Sequence, residues 1–217
     1  DFCLSRGLGD VYKRQGYVAP PRCRFLIFKG SLSLRDCPFL LSGLDRVMAI
    51  DPKTAAVCAE ASGFWLMKTE PSECSIDDAF AAANHAVSWF GVRNYQARNF
   101  MRDQMMVGDA VLFYHSSCPN PGIVGIARIA SKPYPDTCQF DEKSDYFDPK
   151  STKDAPRWVA VDVEALVKFP VIPVSILRAQ PELADMLILR RGNRLSITPV
   201  EKKDFLFIVE HLAQPHS

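Results

Sequence analysis

The stretch FWLMKTEPSECSIDDAF, residues 64–80, carries two kinds of local signal in close succession. Phe64 to Met67 is an unbroken apolar run, too short for a helix and closed by Pro71, and reads as a buried strand. Ser75 with Asp78 three residues later makes a partial capping signal for a helix through Phe80 and Ala83. A strand leading into a capped helix sets an α+β expectation that the remaining segments can be tested against.

Downstream the same alternation continues. Asn94 is placed to cap a helix from Tyr95 to Met105, with Ala97, Phe100, Met101 and Met105 on its apolar face. Gly108 and Asp109 then turn the chain into a buried strand, Ala110 to Tyr114. Ile123 to Ala130 and Trp158 to Leu166 read as further strands, the second alternating as a half-buried sheet requires. Between them Gln139 to Arg157 is too charged for a core, and is expected to be a binding loop or a mobile insert. Thr198-Pro199-Val200-Glu201 reads as an N-cap, a proline in the first turn and a capping glutamate, ahead of a closing helix through Phe205, Ile208, Val209 and Leu212.

Upstream of Gly63 the local consistency fails. Apolar pieces such as FLIF and PFLL are broken by Arg, Cys, Pro and Ser without a sustained period. The run Asp10 to Gln15, DVYKRQ, resembles a translated transposase end left by a sequencing library, with Gly16 to Arg46 as upstream read-through and Met48 as the native start. Residues 1–62 are therefore expected to be an artefact, read-through or disordered extension, and residues 63–217 the folded domain. A signal or transit peptide fits poorly, because Asp10 and Asp36 fall inside it.

The formal charge of +1 provides no global basic field. Nine Lys and Arg face six Asp and Glu in residues 1–62, and seventeen face nineteen thereafter, so contact with a polyanion would need a local patch. Seven cysteines form no CxxC pair, and their odd count argues against a disulfide framework and for reduced thiols in the cytoplasm. No apolar run is long enough for a membrane helix. The four histidines, His85, His115, His211 and His216, show no metal spacing, and no catalytic triad, Walker loop or GxGxxG pattern is present. No cofactor is expected.

A series of segments carries a more specific signal: FWLMKTEP at 64–71, WFGVRNYQARNFMR at 89–102, VLFYHSS at 111–117, GIVGIARIASKPYPD at 122–136, WVAVDV at 158–163 and RLSITPV at 194–200. Together, in this order, they resemble the EVE domain family of the PUA-like superfamily. The resemblance implies a PUA-like β-barrel with flanking helices, and a pocket that accepts a flipped, modified base such as 5-methylcytosine in DNA or RNA. It implies a binding module and not an enzyme, with nucleic acid as partner and no membrane. A flipped base gives up stacking and pairing, so its pocket must supply aromatic walls and edge hydrogen bonds. Trp65, Trp89 and Tyr95 are the candidate walls; Thr69, Glu70, Asn94, His115 and Ser116 are the candidate polar readers. Lys68, Arg93 and Arg98, with Arg190, Arg191 and Arg194, are the candidate phosphate contacts. Trp65 and Trp158 also suit a core, and Asn94 a simple cap. An enzyme using Glu70 or His115 as acid or base is the alternative, and a protein-interaction module a third. The compact domain without a long basic tail looks bacterial.

Overall fold

The computed structural model describes residues 52–213; the expectations for residues 10–15, for Met48 and for His216 concern positions outside that span. Strand β1, Phe64–Thr69, lies second from one edge of the sheet. Its alternation puts Phe64 and Leu66 into one apolar cluster and Trp65 and Met67 into another, so both faces are covered, as its unbroken apolar character requires. β1 is crossed over to a parallel partner, Ala110–His115, and the crossover contains α2 (Ile76–Ala81), β2 (Ala86–Trp89) and α3 (Tyr95–Asn99). The parallel partner is β3; β4 (Gly122–Ile129), β5 (Tyr134–Pro135), β6 (Val159–Pro173) and β7 (Ile197–Pro199) complete the strands. The hydrogen-bonded order is β2-β6-β4-β3-β1-β7, with β5 on β6.

Apart from β1 and β3, all pairs are antiparallel. Register shifts between Phe113 and Tyr114 on β3, and at two places along β4 and β6, bend the sheet as bulges do. The end strands β2 and β7 do not pair, so the expected barrel is a curled sheet that hydrogen bonds leave open. The α+β class with flanking helices is as expected. One face is packed by Ile76 and Ala79 of α2 and by Ala97 and Met101 of the helical segment after Asn94. The other is packed by Val57 and Cys58 of α1 (Pro52–Glu60), Leu177 of α4 (Val174–Arg178), and Phe205 of α5 (Lys202–Phe207) followed by Ile208. α1 lies within the part that the sequence reading left as extension. Gly125 lets α2 lie flat on the sheet: a Cβ there would sit 2.1 Å from Ile76 Cδ1 and 2.4 Å from the Val167 carbonyl oxygen.

The capping signals at the starts of α2 and α3 are met, although α2 stops at Ala81, short of Ala83, where Ala82 turns extended. The Ser75 hydroxyl accepts from the Asp78 amide at 3.1 Å and Asp78 accepts from the Ser75 amide at 2.8 Å, a complete capping box. Asn94 Oδ1 accepts from the amides of Gln96 and Ala97 at 2.9 and 3.1 Å, and α3 continues as a π-turn from Phe100 to Gln104. At the C-terminus the closing helix through Phe205, Ile208, Val209 and Leu212 forms as read, but its cap is overturned. Thr198 and Pro199 belong to β7, opposite Leu66 and Trp65, while Glu201 occupies the N-cap of α5 without a side-chain bond. Covering the open edge of β1 and burying Ile197 and Thr198 outweighs a cap worth about 1 kcal/mol.

Candidate functional site

β1 and β3 run parallel and therefore end side by side, and their ends are laced together. The Ser116 amide and hydroxyl both donate to the Thr69 carbonyl, at 2.8 and 3.1 Å, and the Lys68 amide donates to the Ser196 carbonyl at 2.8 Å. A cavity of about 460 Å³ opens at this end, within the size range of ordinary small-ligand sites. Lys68, Thr69, Glu70, Glu73 and Cys74 line it from the chain leaving β1, and Ser88 to Asn94 from the end of β2 and the segment after it. Ser116, Tyr146, Arg194 and Ser196 close the lining.

The segment WFGVRN is held against the charged loop by one buried carboxylate. The Asp136 side chain is fully buried, and it accepts from Arg93 at 2.8 Å, from the Gly91 amide at 3.0 Å and from the Cys138 amide at 2.9 Å. Arg93 also donates from Nε to the Tyr146 carbonyl at 2.9 Å, and its guanidinium lies 5.4 Å from the ring centroids of both Tyr146 and Trp158. Gly91 takes φ +78°, and the Tyr146 ring sits where a side chain would be. The Tyr146 hydroxyl donates to Glu73 at 2.6 Å across the cavity. That bond to a carboxylate, together with burial, pushes the phenol up to about 12, so it stays a proton donor at any ordinary pH.

The loop expected to be a binding loop or a mobile insert is thus pinned on the cavity side, and it is pinned inside as well. Gln139, fully buried, donates to the carbonyls of Asp136 and Trp158 at 2.6 and 2.9 Å, and its Oε1 accepts from the amides of Arg157 and Trp158 at 3.0 Å.

The fold brings Thr69, Glu70, Trp89, Asn94 and Ser116 together with Lys68, Arg93 and Arg194. Trp89 is largely buried, edge-on to Phe113 at 5.3 Å, and shows the cavity only part of its surface. Burial holds the Lys68 ammonium below the usual lysine range, so this cation is poorly hydrated. Arg93 is committed to Asp136, which leaves Lys68 and Arg194 as the cavity's cations without a carboxylate in ion-pair reach among the described residues.

The other candidates lie elsewhere. Trp65 is a core residue whose indole N–H donates to the buried Asp109 carboxylate at 2.9 Å. That carboxylate also takes Ser62 and the amides of Gly63 and Met106, so the indole has no freedom to turn toward a ligand. Tyr95 points away from the cavity onto Trp158, with Arg98 beside it. Arg190 and Arg191 are exposed on the loop that leads to Arg194 but do not line the cavity. Glu73, Tyr146, Ser196 and Asp136 belong to the site without a sequence signal that assigns them to it. Only the proximity of KTEP to Glu73 hinted at one of them; nothing local marks Tyr146, which reaches the site through a nonlocal loop.

His115 is also outside. Its Nε2 accepts from the Ile76 amide at 3.1 Å and its ring packs edge-on to Phe113, so it serves the start of α2. Burial, with help from Lys168, holds the imidazole below the ordinary value of 6.5, against the opposing carboxylates Asp77 and Asp78. A depressed folded-state value means that the stabilisation is complete above about pH 6.5 and is lost as pH falls through the folded value. The thermal midpoint is expected to drop on acidification below about pH 6.5, and His115→Gln, whose amide accepts at any pH, should flatten that step. Parallel profiles for the two proteins would refute the assignment.

Among the described residues no group of His, Cys, Asp or Glu is placed to hold a metal ion, and no helix is long and apolar enough to cross a membrane.

Comparison with known proteins bears on this geometry. The EVE domain matches residues 63–211. A Pseudomonas putida protein of known crystal structure is 47% identical, covers 67% of this chain and 97% of its own, and superposes with a TM-score of 0.64. The human THYN1 protein, crystallised in complex with DNA containing 5-methylcytosine, is 37% identical over 69% of this chain and 98% of its own, with a TM-score of 0.65. Chicken thymocyte nuclear protein 1 is 39% identical over 163 residues, and the aligned part spans 66% of that longer protein and 67% of this chain. The matches include both bacterial and vertebrate proteins.

Proposed function

Because this chain belongs to the EVE domain family, we propose that its cavity receives a modified nucleobase flipped from a nucleic acid, 5-methylcytosine or a derivative, and binds it without transforming it. The observation that carries this reading is the convergence of an aromatic wall, Trp89 with Tyr146, and short polar side chains on one cavity large enough for a planar heterocycle. The complex of the human relative with 5-methylcytosine DNA supports DNA as the polymer; RNA is the second candidate.

In this reading Trp89 and Tyr146 flank the base, while Thr69, Glu70, Asn94 and Ser116 meet its polar edge. Lys68, Arg194 and, farther out, Arg190 and Arg191 take the flanking phosphates. The non-catalytic character is supported by the separation of the two groups that acid–base chemistry would need. Glu70 lines the cavity, whereas His115 lies outside it with Nε2 engaged by a backbone amide. Free thiols at Cys58, Cys74, Cys118 and Cys138 suit a reducing, cytoplasmic setting.

The test is binding of the full chain to short duplexes that differ only in one cytosine methyl group, at fixed salt. Wild type is expected to prefer the methylated duplex by roughly tenfold or more, and Glu70→Ala to lose at least half of that preference on a free-energy scale. Equal, salt-sensitive binding of both duplexes would reduce the interaction to backbone electrostatics and remove the pocket assignment.

A further inference from the structure

Beside the cavity lies a cluster of cations and aromatics that the proposed base site does not use. Tyr95, 49% exposed, stacks on the buried Trp158 with ring centroids 4.9 Å apart. The guanidinium groups of Arg98 and Arg157 lie 4.9 and 5.7 Å from the Tyr95 centroid. Arg157 hydrogen-bonds the Tyr95 hydroxyl and is neutralised by Asp148 at 3.2 Å.

Arg98 is different. Its three hydrogen bonds run to neutral oxygens, the side-chain oxygen of Asn99 and the carbonyl of Arg157. A guanidinium has about five N–H donors, so roughly two remain; the Asp103 carboxylate that feels this charge is itself paired with Arg102. This cluster adjoins the cavity directly. Arg93 and Asn94 line the cavity and Tyr95 is the next residue, about 3.8 Å along the backbone; Arg93 itself lies over both Tyr146 on the cavity side and Trp158 under Tyr95.

We propose that Tyr95 and Arg98 form a second nucleic-acid contact, which stacks the nucleotide next to the flipped one and holds its phosphate; this rests on the cavity being the base site. Flipping leaves the neighbouring base with an uncovered face, and an exposed tyrosine backed by an indole replaces the lost stacking whatever that base is. The free donors of Arg98 supply a phosphate contact beside it, which fixes the strand without reading sequence. Trp158, Arg98 and Arg157 contact the ring, yet about half of Tyr95 stays exposed, which holding the charged loop in place does not require.

The experiment compares two probes on the full chain: the free nucleoside 5-methyl-2′-deoxycytidine, and a short DNA duplex with one 5-methylcytosine. Tyr95→Ala is expected to weaken duplex binding by about tenfold or more and to leave nucleoside binding unchanged. Arg98→Gln should lower the slope of log affinity against log salt by about one for the duplex. Nucleoside and duplex binding that both survive Tyr95→Ala and Arg98→Gln intact would overturn the second contact and leave the cavity reading standing. Absence of binding of either probe to the wild type would overturn both. Arg98 is half-buried, and Arg98→Gln keeps a hydrogen-bonding side chain there, so this variant keeps the test valid even if Tyr95→Ala unfolds.

Discussion

Asp136→Ala is expected to lower the stability of the domain by about 3–5 kcal/mol and to abolish ligand binding in the cavity. The side chain is fully buried and satisfies the Arg93 guanidinium and two backbone amides at once. Alanine would leave a half-buried cation and two amides without acceptors, each amide at a cost of about 1–3 kcal/mol where water cannot reach it. Release of Gly91 and Arg93 also frees the wall that carries Trp89 and the carbonyl anchor of Tyr146, so the loss of function does not depend on unfolding. Urea denaturation should show a lower midpoint at unchanged slope. Asp136→Asn, which keeps one acceptor oxygen and loses the charge, should fall between the two. An alanine variant with the wild-type midpoint would show that the carboxylate is not the organising group.

Gly91→Ala is expected to cost about 2–3 kcal/mol and to displace Tyr146. Its φ of +78° is strained for alanine, and the new Cβ would lie 2.8, 2.9 and 3.1 Å from three atoms of the Tyr146 ring. The ring cannot retreat without giving something up, because its hydroxyl is bonded to Glu73 and its backbone carbonyl to Arg93. The diagnostic readout is the titration of that phenol. In the wild type it lies at about 12; once the Glu73 bond is broken it should return toward the ordinary tyrosine value of about 10. Tyr114 and Tyr134 are also raised, by burial, so the readout is the difference from wild type: an ultraviolet titration with no tyrosine lost from the high-pH group would mean that the ring had found room, and that the contact with Gly91 is not a constraint.

What the amino-acid sequence makes legible here follows the range of the interactions. The capping box at Ser75 and Asp78 and the Asn94 cap span at most three residues, and both are found as read. Thr198-Pro199 has an equally good local signal, but a strand edge distant in sequence competes for the same residues and wins. The site divides in the same way. Thr69, Glu70, Trp89, Asn94 and Ser116 sit at the ends of strands or in the turns after them, where sequence reading is strongest, and they reach one cavity because β1 and β3 are parallel. Trp65 is drawn inward by Asp109 and His115 by the Ile76 amide, both more than thirty positions away in sequence. No local pattern reports such partners. Tyr146 is the converse case: an unmarked loop residue becomes a cavity wall only after Gln139 and Asp136 have fixed where the loop lies.

The placement of β7 bears on how the domain is made. Trp65 at the front of the sheet faces Pro199, and Val200 closes the same ladder by donating to the Phe64 carbonyl at 2.8 Å. During synthesis the apolar strand β1 must wait for almost all the rest of the domain before that edge is covered. Its other neighbour, β3, also arrives only after the whole crossover. Until the segment from β3 to β7 has been made, the nascent strand keeps an open edge, the kind of aggregation template that chaperones shield.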